Sequence, residues 1–273
     1  MQKPTLYKIY ASALLLTLAL LLFYLFLNHH YDGSIWQSMQ QSKSAITGEY
    51  CELDQSKHFF RQTMNTYSNL MYFFLGIIAV LIGFYDRKNY QEDNQNPIQQ
   101  FPMISILFGC CLIYLSIGSA LFHASLTWFG QRIDMNATYS ICLTLIGIST
   151  HRLMVKGKAS EHLKKIFIYS IELLILAFIK LHLLIPSTIL LPSLILVIIA
   201  FTVLNYSKNK SSYKIQLAIL SLLLAAGAFI LRTLDVQKIA CDPTSLYQGH
   251  SLWHFFTGMS AFLLYWFYRS EKV

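Results

Sequence analysis

Apolar residues along this chain come in long unbroken runs, at 8–28, 65–85, 102–123, 133–150, 166–185, 187–206, 213–231 and 250–268. Each run is about 18–22 residues, and at about 1.5 Å of helical rise per residue that length matches a bilayer core of about 30 Å. The pattern predicts an all-α membrane protein with eight spans. No internal repeat, low-complexity tract or soluble domain interrupts it, and the longest polar connection is the short stretch 29–64. The first run follows Lys3 and Lys8 and ends in FLNHHYDGS. It lacks a small-x-small cleavage site, so it reads as an uncleaved anchor in preference to a signal peptide. The expected architecture is a seven-transmembrane-helix bundle with one additional N-terminal transmembrane helix. Its parts are an anchor at 1–30, an outer polar loop at 31–64, the seven-span bundle at 65–268 and a short inner tail at 269–273.

Composition agrees with that picture. Of 273 residues, 55% are hydrophobic and 12% charged, against about 25% charged in a soluble domain. The formal net charge of +8 would point to nucleic acid in a soluble protein. In a polytopic one the positive-inside rule accounts for it. With the N-terminus inside, 14 Lys and Arg fall on the inner side, including Arg87, Lys88, Arg152, Lys156, Lys158, Arg269 and Lys272, and 7 fall on the outer side. Both termini are expected in the cytoplasm, the outer face being periplasmic, lumenal or extracellular, and no nucleic-acid partner is expected.

Ionisable residues at membrane depth are functional candidates by default. Here they are His123, Asp134, Glu172, Lys180, His182, Arg232, Asp235, His250 and His254. His123 ends the third run, Asp134 opens the fourth, and His250 and His254 open the eighth. Three helices thus bring these four residues to the same outer face at similar depth. His250 and His254 are spaced i, i+4 and share a helix face, as do Ser119 and His123. Three neutral imidazoles leave a tetrahedral zinc site one open position for chemistry, and Asp134 is the carboxylate placed to accept a proton from the bound water. The alternative is that such histidines anchor helices near the interface. Glu172, deep in the fifth run, reads as a protonated or interhelically bonded structural acid.

The ordered set YCELD (50–54), NTYSNLMYFFLG (65–76), GSALFHASL (118–126), QRIDM (131–135), LDVQKIACDP (234–243) and HSLWHFFTG (250–258) resembles the alkaline ceramidase family. That family lies in the wider superfamily of seven-span metal hydrolases, with the progestin and adiponectin receptors and the proteins of GPI-lipid remodelling. The resemblance implies zinc held by His123, His250 and His254, with Asp134 as general base and Ser119 near the metal, steadying the site or the oxyanion. Trp253 matches the family's Trp, or is a belt aromatic at the interface.

The resemblance also implies a calcium site in the outer loop, at Glu49, Tyr50, Glu52, Asp54 and Gln62. Carboxylate and amide oxygens suit Ca²⁺, although Gln62 stands where the family carries an acid, and three acids this close could equally be a solvated patch. Cys51 and Cys241 both fall on the outer face, and the resemblance favours a disulfide between them over two reduced thiols.

The function implied is an intramembrane zinc amidase that cleaves a ceramide-type lipid amide, taken from the bilayer, into a fatty acid and a sphingoid base. A lipid ester hydrolase using the same metal is the alternative within enzymes. A receptor with a structural zinc is the alternative outside them. Nothing in the sequence fixes the oligomeric state.

Overall fold

The computed structural model describes residues 3–89, 96–154, 160–208, 210 and 213–271. Among these the chain is helical, with no strand beyond two isolated bridges, Asp32 to His58 and Gln41 to Thr127. In order the helices are α1 (Lys3–His30), α2 (Lys43–Ile46), α3 (Thr63–Tyr67), α4 (Leu70–Lys88), α5 (Pro102–Ser125), α6 (Trp128–Met154), α7 (Glu161–Leu184), α8 (Ser187–Lys208), α9 (Ile215–Val236) and α10 (Gly249–Arg269), with one 3₁₀ turn at Gly33–Trp36.

Among the described residues, five stretches are long and apolar enough to cross a membrane: Thr5–His30, Thr63–Lys88, Pro102–Ser125, Ser187–Lys208 and Ile215–Val236. Helices α6 and α10 are as long, but Asp134, Asn136 and Ser140 in one and His250, His254 and Ser260 in the other interrupt their apolar runs. Helix α9 continues past the predicted end at 231, so Arg232 and Asp235 sit on its last turns instead of in a loop. It stops where Lys238 and Ala240 adopt left-handed backbone, at φ of 59° and 53°, a conformation unfavourable for residues other than glycine.

Helix α5 lies at the centre, packed between α4 and α6, while α10 packs on α9 and α4. Helices α7 and α8 lean on α6. Helix α1 lies against α4, where Ile9 and Ala13 meet Ile78 and Ile82. Glu172 differs from its expectation: it is exposed on α7. That helix packs on α6 and only slightly on α5, so most of its circumference faces outward.

The polar stretch 31–64 is a folded cap. Its backbone is stitched to the α5–α6 turn by Arg61 N to Ala124 O (3.1 Å), Gln62 N to His123 O (3.1 Å) and Ser42 N to Leu126 O (2.9 Å). Leu53 N reaches Pro243 O at 3.0 Å, which ties the cap to the α9–α10 connection. At the opposite end, Arg269 of α10 pairs with Asp86 of α4, and Arg152 of α6 donates to Glu271 at 2.8 and 2.7 Å. Three of the predicted inner basic residues, Lys156, Lys158 and Lys272, lie outside the described residues.

Candidate metal centre and apolar chamber

The turn between α5 and α6 is only two residues long, so the end of α5 and the start of α6 stay together. Gly118 sets their separation: a Cβ there would lie 2.8 Å from Ile133 Cγ2. With α6 this close, Ser119 on α5 stands beside Asp134 on α6, near enough for the two side chains to interact. One helical turn on, on the same face of α5, stands His123.

Helix α10 brings His250 and His254 to His123. One ring nitrogen from each of the three lies within 4.8 Å of the others, and the rings are 0%, 4% and 3% exposed for His123, His250 and His254, so water is largely excluded. Two neighbours fix the tautomers. His123 Nδ1 donates to Gln62 Oε1 at 2.8 Å. His254 Nδ1 lies 2.7 Å from Ser68 Oγ, whose own hydrogen goes to Asn65 O, so the imidazole is the donor. Both bonds leave Nε2 with a free lone pair, as a metal ligand requires.

His123 Nε2 faces His250 Nε2 at 3.2 Å, while His250 Nδ1 is buried without a hydrogen-bond partner. With one proton, His250 can satisfy one of its nitrogens and not the other. A cation shared by the three Nε2 atoms removes the conflict between facing lone pairs. Three neutral imidazoles in a tight, buried set are the donor chemistry of a catalytic zinc site.

The ring of Tyr50 covers this cluster, 4.2 Å from the His250 ring and 5.2 Å from that of His123. Burial pushes the Tyr50 hydroxyl up, with the nearby Glu49 and Asp134 charges adding to the shift. Cys51 follows Tyr50 and is joined to Cys241, with Cα atoms 5.7 Å apart. Trp253 faces away from the histidines, edge-on to Phe229 at 4.9 Å and beneath the Arg232 guanidinium at 5.9 Å.

The five groups expected to bind calcium line one small cavity of about 210 Å³, and they bond to other groups of the protein there. Glu49 accepts from Arg232 at 3.1 Å. Asp54 is held by the Arg61 guanidinium, with Nε at 2.7 Å. Glu52 caps the start of α3, accepting from Met64 N at 2.6 Å and Asn65 N at 2.8 Å. Gln62 is taken by His123. The carbonyls of Glu49 and Tyr50 both accept from Lys238 Nζ. Arg232, Arg61 and Lys238 thus each bond to one or more of these groups. Burial raises the Glu52 carboxyl to about 7, against the opposing effect of its bonds from Asn65 and Met64.

Ser68, Asp235 and Lys238 had no assigned role in the sequence reading. Ser68 stands within the NTYSN stretch, where its spacing from Asn65 was visible but its partner on α10 was not. Asp235 accepts from Cys51 N and from His250 N, each at 3.0 Å.

Beside the histidines lies an apolar chamber of about 350 Å³. Tyr72 and Trp253 border it near the cluster, and Leu264 and Tyr206 line its far end. Val203 on α8 and Leu222 on α9 line the chamber and are themselves exposed.

The family model described as Ceramidase matches residues 41–271 of this chain. No curated protein matches it.

Proposed function

The chain belongs to the ceramidase family, a family of ceramide hydrolysis, and on that premise we propose that it is an intramembrane, zinc-dependent amidase. Its substrate is a ceramide-type lipid amide and its products are a fatty acid and a sphingoid base. The observation that carries this reading is the buried trio His123, His250 and His254, each with one ring nitrogen within 4.8 Å of the others, with Ser119 and Asp134 on the adjoining turns.

His123, His250 and His254 would hold the metal. When bound, zinc supplies Lewis-acid polarisation of the scissile carbonyl and brings the pKa of a water to about 7. Asp134 takes up the proton of the attacking water at its carboxylate and delivers it to the leaving nitrogen. Ser119 orients that carboxylate from α5 and stands beside the developing oxyanion. Tyr50 and the disulfide-bonded cap close the site from the outer side, which excludes competing water. The apolar chamber receives an alkyl chain from the bilayer through the gap between α8 and α9, exchanging one apolar environment for another, so packing and not the hydrophobic effect sets the fit.

The same reading gives the bundle seven spans, α4 to α10, with α1 as an additional anchor, both termini cytoplasmic and the cap outside. The interruptions in α6 and α10 fit it, because their polar residues face the site or neighbouring helices. Arg61 and Lys238 hold the cap in place of calcium.

The test is release of fatty acid from labelled ceramide by purified protein, with bound metal measured in parallel. About one zinc per chain is expected. Activity should be lost on zinc chelation and fall by roughly 10²–10⁴ in Asp134→Asn with zinc retained. Calcium chelation should change neither. Zinc binding with cleavage of a matched lipid ester, and none of ceramide, would sink the amidase in favour of an esterase.

A further inference from the structure

The three histidines are not held alike. Gln62 holds the His123 ring and Ser68 holds that of His254, whereas His250 Nδ1 has no partner. Apart from its contacts with the other two imidazoles, its ring is kept in place by packing against Tyr50 and by the backbone from which it springs. That backbone is anchored by Asp235, from the last turn of the neighbouring helix. Asp235 Oδ2 accepts from His250 N at 3.0 Å and Oδ1 accepts from Cys51 N at 3.0 Å. The side chain is 4% exposed.

Helix α10 needs this. Its own N-cap residue, Gln248, makes no capping bond to it, and Gln248 Nε2 is instead committed to the carbonyls of Asp242 and Ser245. An unsatisfied helical N–H welcomes a carboxylate, both as hydrogen bond and as charge on the positive end of the helix dipole. Gly249 makes the approach possible. A Cβ there would fall 2.9 Å from Asp235 Cβ and 2.8 Å from Leu231 O.

We infer that Asp235 is a positioning residue for the metal centre: it fixes His250 through the backbone and locks it to the cap. One carboxylate joins the segment that carries Tyr50 and the Cys51 bridge to the helix that carries two of the three imidazoles. The ring of Tyr50 and the backbone of His250 are therefore set by the same group. A shift of the carboxylate moves the ring and its lid together, and the cost falls on metal affinity.

This inference rests on the metal reading of the histidines, and the experiment separates the two. Zinc affinity is measured by chelator competition, and the visible spectrum of the cobalt-substituted protein is recorded, for wild type, Asp235→Asn, Asp235→Glu and Thr233→Ala. Amide exchange of the segment containing His250 is followed in the metal-free protein. Thr233 is on the same turn, exposed, and bonded only to Phe229 O, so it controls for general damage. In Asp235→Asn, zinc affinity should fall roughly 10- to 100-fold, the usual loss when an orienting partner of a ligand is removed. The cobalt spectrum should shift, and exchange at the start of α10 should quicken without metal. Asp235→Glu should show the same changes in smaller degree, and Thr233→Ala none. Wild-type affinity and spectrum in both Asp235 variants would overturn the inference, and so would loss of folding in both with Thr233→Ala intact, which would make Asp235 structural only. A wild-type protein that takes up neither zinc nor cobalt would instead overturn the metal reading, and faster exchange in Asp235→Asn would still show the anchor.

Discussion

Gln62 and Ser68 each contribute a single hydrogen bond, yet each decides which nitrogen of an imidazole is free. Gln62→Leu keeps much of the volume and leaves His123 Nδ1–H unpaired. Chelator competition should show zinc affinity down by roughly 10- to 100-fold, and Ser68→Ala should do the same through His254. Glu52 offers a test by pH. Its carboxyl is raised from an ordinary 4.5 to about 7 by burial, so the fold favours the neutral acid. The resulting stability is fully present below about pH 4.5 and is lost as pH rises through about 7. The melting temperature of wild type should therefore fall between pH 5 and 8, and Glu52→Gln should show a smaller fall. Equal slopes in the two proteins would exclude Glu52 as the source. Of these residues, only the histidines could be placed from the sequence. The i, i+4 spacing puts His250 and His254 on one face whatever the surroundings, whereas Gln62 and Ser68 acquire their roles from partners 61 and 186 residues away.

Pairs of elements show why small residues accompany the chemistry. Gly118 stands one residue before Ser119, where α5 and α6 cross, and Gly249 one residue before His250, where α9 and α10 cross. Each lets a helix approach closely enough for a polar side chain to reach across. Gly118→Val should force α5 from α6, at a stability cost of about 1–3 kcal/mol. Ceramide turnover should fall by more than the loss of folded protein accounts for, because Ser119 and His123 move away from Asp134. Thermal unfolding in detergent, run beside the activity assay, separates the two effects. The helices themselves were legible as apolar runs. Their ends were less so: α9 runs on to Val236 because Arg232 is stacked on Trp253 and Asp235 is bonded to α10 and the cap, compensations that hydropathy does not register.

For the whole molecule, the chamber is the feature that links fold to substrate. It is bounded by six helices, α4, α5, α6, α8, α9 and α10, and has no counterpart in any one of them. Ala261 lies on α10 and lines the chamber between Trp253 and Leu264. Ala261→Phe would fill part of its length, and the preference among labelled ceramides should move toward shorter acyl chains while a short-chain substrate is still cleaved. An unchanged chain-length profile would mean that the alkyl chains lie elsewhere.

The sequence by itself determined the long apolar runs, the charge asymmetry at their ends, and the convergence of His123, Asp134, His250 and His254 on one level. All of these follow from helical rise and periodicity, which are local properties. Tertiary structure alone decided what the outer stretch would do. Its acids were legible in the sequence but their partners were not, and the fold pairs Asp54 with Arg61, Glu49 with Arg232, and the carbonyls of Glu49 and Tyr50 with Lys238. Two of those cations come from the end of α9, more than 180 residues away. No spacing rule reaches across that separation, because it is set by how α9 and α10 pack and by where the Cys51–Cys241 bridge pins the cap.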